Sequence, residues 1–430
     1  MNNQEAAPAS CGEGHLSHSE SCPFHGEGHS SRSVRHPLDT GVSSLQIKPS
    51  QRLEGVQEYY FSQKLKQVAE MNARGLDVIN LGVGSPDQPP SQAAIETLCT
   101  ESQKPTMHGY QPYVGIVELR NAFAEWYARW YGVSLNPQNE IQPLIGSKEG
   151  ILHVTLAFVN AGDEVWVPNP GYPTYSSLSQ LLDATVHPYD LTEETGWYPN
   201  FEQWERDIHS GVKLIWTNYP QMPTGAPATM QLYERLVAFA KRHGVVIVND
   251  NPYSFILNDN PLSILAVEGA KECCIELNSM SKAHNMPGWR VGMLATNAEF
   301  VRWILKVKSN IDSGTFRPMQ LAAAKALEAQ ADWYATNNRR YARRRELAQA
   351  VMEALGCTYD AQQTGLFLWG RIPDRYATVE DLTEPILTNA KVFITPGHIF
   401  GHNGERYIRL SLCQTEERFQ EALSRIAKHH

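Results

Sequence analysis

A chain of 430 residues that is 42% apolar and 10% aromatic can bury a core large enough for two lobes, which excludes a small stapled module. Its formal net charge of −9 argues against nucleic acid and anionic membrane as partners and leaves small molecules. Seven scattered cysteines do not form a disulfide framework and no run of about 18 apolar residues occurs, so a reducing, cytoplasmic location is expected.

The opening MNNQEAAPAS has neither the basic region nor the apolar segment of a targeting signal. Residues 1–45 continue as CGEGHLSHSESCPFHGEGHSSRS, rich in Gly, Ser, Glu and His with almost nothing to bury, and are expected to be a disordered tail. Cys11, His15, His18, Cys22, His25 and His29 do not fall at the spacing of a zinc module, so no metal is expected there. From about Val114 helical and strand patterns alternate, as in a parallel sheet covered by helices on both faces. GIVELRNAFAEWYARWYG has apolar residues at helical spacing and a closing glycine suited to a C-cap. Four apolar runs then each end in turn chemistry: DEVWVPNPGYPTY, VKLIWTNYPQMPTG, GVVIVNDNPYSF and CCIELNSMSK. Ligands of open α/β sheets bind beyond the carboxyl ends of strands, so these four loops are expected to converge on one site. After about Arg317 a long Arg-rich helix, NNRRYARRRELAQAVMEAL, precedes the strand-like GLFLWGRI and RYIRLSLC and a last helix, predicting a second, smaller α+β lobe. RRYARRR reads as a solvated helix face in an acidic chain, not as a polyanion site.

In NSMSKAHNMPGWRVG, Lys282 follows a buried strand and Arg290 lies eight residues on; a lysine so placed can form a Schiff base where its surroundings lower its pKa. Ser279, Lys282 and Arg290 together reproduce S-x-x-K with Arg at plus eight, and an upstream strand ends in Asp250 with Tyr253 at plus three. From about Val78 to its C-terminus the chain resembles the class I aminotransferases, fold-type I enzymes dependent on pyridoxal 5'-phosphate. The resemblance implies an α/β fold: a large domain with a mostly parallel seven-stranded sheet (91–318) and a smaller α+β domain with an N-terminal arm (46–90 and 319–430).

It also implies roles for residues. Lys282 would bind the cofactor's aldehyde as a Schiff base and, once released, move a proton. Asp250 would hold a proton on the ring nitrogen, and Tyr253 would hydrogen-bond the phenolic oxygen. Arg290, Ser279 and the turn Gly146, Ser147, Lys148 would hold the phosphate, as amides at a helix N-terminus and hydroxyls suit a dianion. Tyr172 would stack on the ring, Arg409 would bind the substrate carboxylate in bidentate fashion, and Gly82 would let the backbone close over the substrate. Tyr110 would reach a partner's cofactor phosphate across a homodimer with shared sites. The family motif N-P-x-N-P-T-G departs here to NYPQMPTG, so the asparagine expected at the phenolic oxygen becomes Met222, a weak acceptor that donates nothing. Tyr253 then acts alone, or Gln221 or Asn218 substitutes. Arg317 lies near the region from which dicarboxylate-specific relatives bring a second arginine.

The function expected is ping-pong transfer of an amino group from an L-amino acid to a 2-oxo acid. A β-eliminating lyase or synthase on the same fold, or a protein that keeps the cofactor pocket only to bind ligand, are the alternatives. Elimination would release ammonia and need no acceptor. A regulatory binder would carry a fused DNA-binding domain, which residues 1–45 are too short and polar to form.

Overall fold

A computed structural model describes residues 47–53 and 60–429, so the predicted tail and its Cys/His cluster lie outside the described residues. In chain order the strands are β1 (Ile79–Asn80), β2 (Ile141–Leu144), β3 (Glu164–Asn169), β4 (Thr185–Asp190), β5 (Val212–Thr217), β6 (Val246–Asp250), β7 (Cys274–Ser279) and β8 (Gly292–Ala295), then β9 (Thr358–Tyr359), β10 (Phe367–Arg371), β11 (Val392–Phe393), β12 (Thr395–Pro396) and β13 (Tyr407–Ser411). Strands β2 to β8 form a seven-stranded sheet in the order β2-β8-β7-β6-β5-β3-β4, as expected. Only β8 runs against its neighbours, so β3, β5, β6 and β7 all end on one edge. The four predicted strand–loop runs are β3, β5, β6 and β7 with the loops that follow them.

The central strands are apolar throughout because helices cover both faces. Val165, Leu214, Val248 and Ile275 join one buried cluster, while Trp166, Ile215, Ile247 and Cys274 join another. The predicted helix runs Val117–Tyr131 and ends at Gly132 with φ 67°, the left-handed C-cap that glycine adopts without steric cost.

The smaller sheet has the order β12-β13-β10-β9 and is antiparallel, and the parallel pair β1–β11 ties the start of the described chain to its C-terminal part. GLFLWGRI supplies β10 and RYIRLSLC supplies β13. The Arg-rich helix spans Ala331–Ala354. One of its arginines departs from the expected solvated face: Arg344 is 3% exposed and makes a bidentate pair with Asp87 at 2.7 and 2.8 Å, since a buried guanidinium needs a fixed carboxylate. Among the described residues no helix is long and apolar enough to cross a membrane.

Candidate active site

The carboxyl ends of β5, β6 and β7 open on a cavity of about 400 Å³ whose far wall comes from the smaller sheet. The structure brings Ser147, Lys148, Tyr172, Asp250, Tyr253, Ser279, Lys282, Arg290 and Arg409 to its lining, together with Asn218 and Met222. Gly82 and Gly146 lie just behind it, and Tyr110 does not line it: its side chain is 94% exposed.

Asp250 ends β6 and is buried. Its Oδ2 accepts the Tyr175 hydroxyl at 3.0 Å, while among the described residues its Oδ1, also buried, has no hydrogen-bond partner. Burial pushes the carboxyl up to about 7, against the pull of the Tyr175 hydrogen bond and the Lys282 charge. Asp250 lines the cavity, and a carboxylate with one unpartnered oxygen suits a cationic N–H such as a protonated ring nitrogen.

Lys282 sits in the short helix Met280–Ala283 that starts where β7 stops. Its Nζ donates to the Gly84 carbonyl at 2.5 Å. Burial lowers its pKa, and the Arg409 and Arg290 charges push the same way while Cys413 and Asp250 oppose them, which shifts the amine in the direction of its nucleophilic neutral form. Ser279 caps that helix: its Oγ accepts the Ser281 amide and lies 3.0 Å from the Ser281 hydroxyl.

Gly146 precedes the helix Ser147–Phe158 with φ 76°, and a Cβ there would lie 2.2 Å from Arg290 Nη2. The turn therefore needs glycine twice, for its backbone conformation and for the approach of Arg290. Arg290 itself has φ 58°, a strained value for a residue with a side chain. Hydroxyls, a helix N-terminus and a guanidinium in one cradle are the donors a phosphate dianion takes.

Across the cavity the guanidinium of Arg409, on β13, lies 3.8 Å from the centre of the Phe367 ring and 4.5 Å from that of Phe400. Nη2 donates to the Gly82 carbonyl at 2.8 Å, and Nη1 lies 3.2 Å from Met222 Sδ. Gly82 is packed so closely that a Cβ would meet the Phe393 ring at 2.5 Å. Of the two candidates to replace the missing asparagine, Gln221 is already engaged, donating to the Pro170 carbonyl in the loop after β3 and accepting from Thr224 in its own loop. Asn218 lines the cavity but donates to the Asp250 carbonyl and accepts the Met222 amide. Arg317 is held by Glu118 at 2.7 Å.

Sequence reasoning missed Tyr175 and the Gly84 carbonyl. Tyr175 carried a signal: it stands three residues after Tyr172 at the start of the helix Pro173–Leu181, where both rings share a face. Gly84 carried none, because its contact with Lys282 spans 198 residues.

Comparison with known proteins identifies the family. The sequence profile of the family "Aminotransferase class I and II" matches residues 76–426. A protein of Dehalococcoides mccartyi named LL-diaminopimelate aminotransferase is 39% identical over 383 residues, covering 89% of this chain and 98% of that protein. One of the same name from Oleidesulfovibrio alaskensis is 40% identical over 385 residues, 89% of this chain and 99% of its own. Among solved structures, apo-BacF from Bacillus subtilis superposes with a TM-score of 0.85 at 34% identity, covering 89% of this chain and 98% of that one.

Proposed function

The chain belongs to the class I and II aminotransferases, and on that premise we propose how its own residues carry out the family's reaction. It is a pyridoxal 5'-phosphate-dependent aminotransferase, acting on amino acid and 2-oxo acid substrates. The alternatives of elimination or of ligand binding alone find no support in the relatives' names. When bound, the cofactor supplies a ring that stores the electron pair released at the substrate's α-carbon.

The observation that carries the residue assignment is that Asp250, with one carboxylate oxygen unpartnered, lines the same cavity as Lys282. Asp250 would keep a proton on the cofactor's ring nitrogen, and the Tyr175 hydrogen bond helps to fix the carboxyl in place. Lys282, whose pKa burial lowers, would hold the cofactor and supply the amine that moves a proton at the substrate's α-carbon. The Tyr253 hydroxyl would serve the phenolic oxygen, and Tyr172 would lie against the ring. Ser147, Lys148, Ser279 and Arg290 would hold the phosphate around the Gly146 turn. Arg409 would fix the substrate carboxylate, oriented by Phe367 and the Gly82 carbonyl.

We also propose the assembly and the substrate. Tyr110 serves the cofactor phosphate of a second copy in a homodimer. In support, Tyr110, Tyr113, Val117, Ile311 and Phe316 are exposed on two segments joined by the Gln111–Gly314 bridge. The lobes are 91–318 and 46–90 with 319–430, the helix Arg317–Leu327 straddling the boundary where it packs on Gln92–Ser102 and Val117–Tyr131. A cytoplasmic location fits five free thiols among the described residues, four of them buried. LL-diaminopimelate is the proposed substrate, from the relatives' names. Its methylene chain suits the apolar lining of Phe61, Leu65 and Val83. The rings of Phe61, Phe367 and Phe400 in that wall favour an aromatic amino acid as the second reading.

The test is the visible spectrum of the full chain with pyridoxal phosphate, titrated with LL-diaminopimelate, aromatic and other L-amino acids, with Lys282→Ala as control. The wild type should show a yellow band that bleaches with the true donor and returns with a 2-oxo acid, and the variant should show no such band. A band that no amino acid bleaches would overturn the substrate and residue assignments together.

A further inference from the structure

Behind the phosphate cup lies a set of four ionisable side chains that the reaction above does not use. Glu149 is the third residue of the helix Ser147–Phe158, and its Oε2 accepts the backbone amide of Ile145, so one carboxylate spans the turn that holds Gly146 and Ser147. The Ile145 carbonyl in turn faces Arg290 Nη2 at 3.5 Å. Oε1 of Glu149 meets His153 Nε2 at 2.6 Å and Lys308 Nζ at 2.9 Å. Lys308 closes the helix Ala298–Lys308 and also reaches both oxygens of Asp312, at 2.7 and 2.8 Å. Lys308 is 3% exposed and His153 fully buried. Ligand atoms of Glu149, His153 and Asp312 gather within 4.8 Å of one another, as around a metal ion, but the Lys308 ammonium already stands among them.

A carboxylate directly behind an anion site repels the anion unless a fixed cation balances it, and at low effective dielectric that balance reaches across several ångströms. Glu149 shapes the cup at this electrostatic cost, and Lys308 supplies the balancing charge from a helix that does not itself line the cavity. We propose that Glu149 and Lys308 are positioning residues for the cofactor phosphate, Glu149 setting the turn and Lys308 cancelling the repulsion that Glu149 would otherwise exert. The proposal rests on the reading that the phosphate occupies this cup.

The experiment measures, by calorimetry on the full-length apoprotein, the affinities of pyridoxal phosphate, of pyridoxal lacking the phosphate and of inorganic phosphate. Lys308→Met should weaken pyridoxal phosphate and inorganic phosphate by about tenfold and leave pyridoxal within about twofold. Glu149→Gln keeps an acceptor for the Ile145 amide while removing the charge, so it should leave phosphate affinity unchanged or tighter. The double variant, with charge balance restored, should return to within about threefold of the wild type. Loss of pyridoxal and phosphate binding in parallel would overturn the proposal, as would weaker phosphate binding in Glu149→Gln, which decides the matter alone if Lys308→Met does not fold. Inorganic phosphate that fails to compete with pyridoxal phosphate on the wild type would sink the reading of the cup itself. Competition that stays intact and unmoved by the variants would sink only the role of Glu149 and Lys308.

Discussion

Nη1 of Arg409 lies 3.2 Å from Sδ of Met222, and both side chains are buried in the wall of the cavity. A thioether accepts weakly from a guanidinium and has no hydrogen to pass on, so Met222 cannot relay a hydrogen bond from Arg409 to a further acceptor. Met222→Asn would place an amide there that accepts from Arg409 and donates onward. A donor at the phenolic oxygen stabilises its negative charge and relieves it of the neighbouring imine proton. The pH midpoint of the bound cofactor's visible band should therefore fall by about 1 unit, the scale of one added hydrogen bond. A spectrophotometric titration of the two proteins checks this, and an unchanged or higher midpoint would show that Met222 does not face that oxygen.

Asp250 makes the apoprotein's stability depend on pH in a predictable sense. Burial raises its carboxyl from 3.8 to about 7, so between these values the folded protein holds a proton that the unfolded chain has lost. The contribution is fully present below about pH 4 and is lost as pH rises through 7. Asp250→Asn removes this titration, so the apo variant should be more stable than the apo wild type at pH 8 by roughly 2–4 kcal/mol, with the gap closing toward pH 4. Thermal melts across that range test it. Glu276, which burial likewise raises to about 7, is common to both proteins and cancels in the difference. The variant should lose catalysis at every pH, because an amide cannot hold the ring proton.

Much of this site was legible because sheet topology does the gathering. Asp250 and Ser279 each end a parallel strand, so an apolar run followed by turn chemistry was enough to place them side by side. Arg409 was found through its motif, but its dependence on Phe367, Phe400 and Gly82 was not, since those contacts cross between distant segments and leave no periodicity. Arg344 was read wrongly for a related reason. Within RRYARRR all five arginines look alike, and only the fold turns one of them inward, toward Asp87.

That inward pair anchors the segment carrying Gly82 and Gly84 to the helix Ala331–Ala354. Burial pushes the Asp87 carboxyl up, yet the Arg344 hydrogen bonds and charge outweigh it and hold it below its ordinary value. Stability from the pair is present above the ordinary carboxylate range and disappears as pH falls through the lowered folded value. Arg344→Met leaves the Asp87 carboxylate without its guanidinium and should cost about 1–3 kcal/mol at pH 7, less in acid, because the Asp87 side chain keeps contact with water. It should also loosen the Gly84 carbonyl from Lys282, raising KM for the amino acid. Denaturant melts at pH 7 and at about pH 2–3, below the ordinary carboxylate range, should show the difference between the two proteins shrinking, and a pH-independent difference would mean that packing and not charge is lost.

The placement of Tyr110 separates two arrangements of the active site. It is 94% exposed and lines no part of its own chain's cavity, so the proposed homodimer requires it to act on the second copy. Tyr110→Phe should weaken pyridoxal phosphate binding by about tenfold, the loss of one hydrogen bond to a charged group. Mixing that variant with Lys282→Ala makes the argument decisive. In a random mixture half of the dimers are hybrids. With shared sites, each hybrid has one site with both defects and one with neither, so about a quarter of all sites regain wild-type behaviour. With unshared sites every hybrid site keeps one defect. Assayed at a cofactor concentration that leaves the Tyr110→Phe homodimer mostly empty, recovered activity on mixing supports a tyrosine that crosses between copies, and no recovery assigns Tyr110 to its own chain or to none.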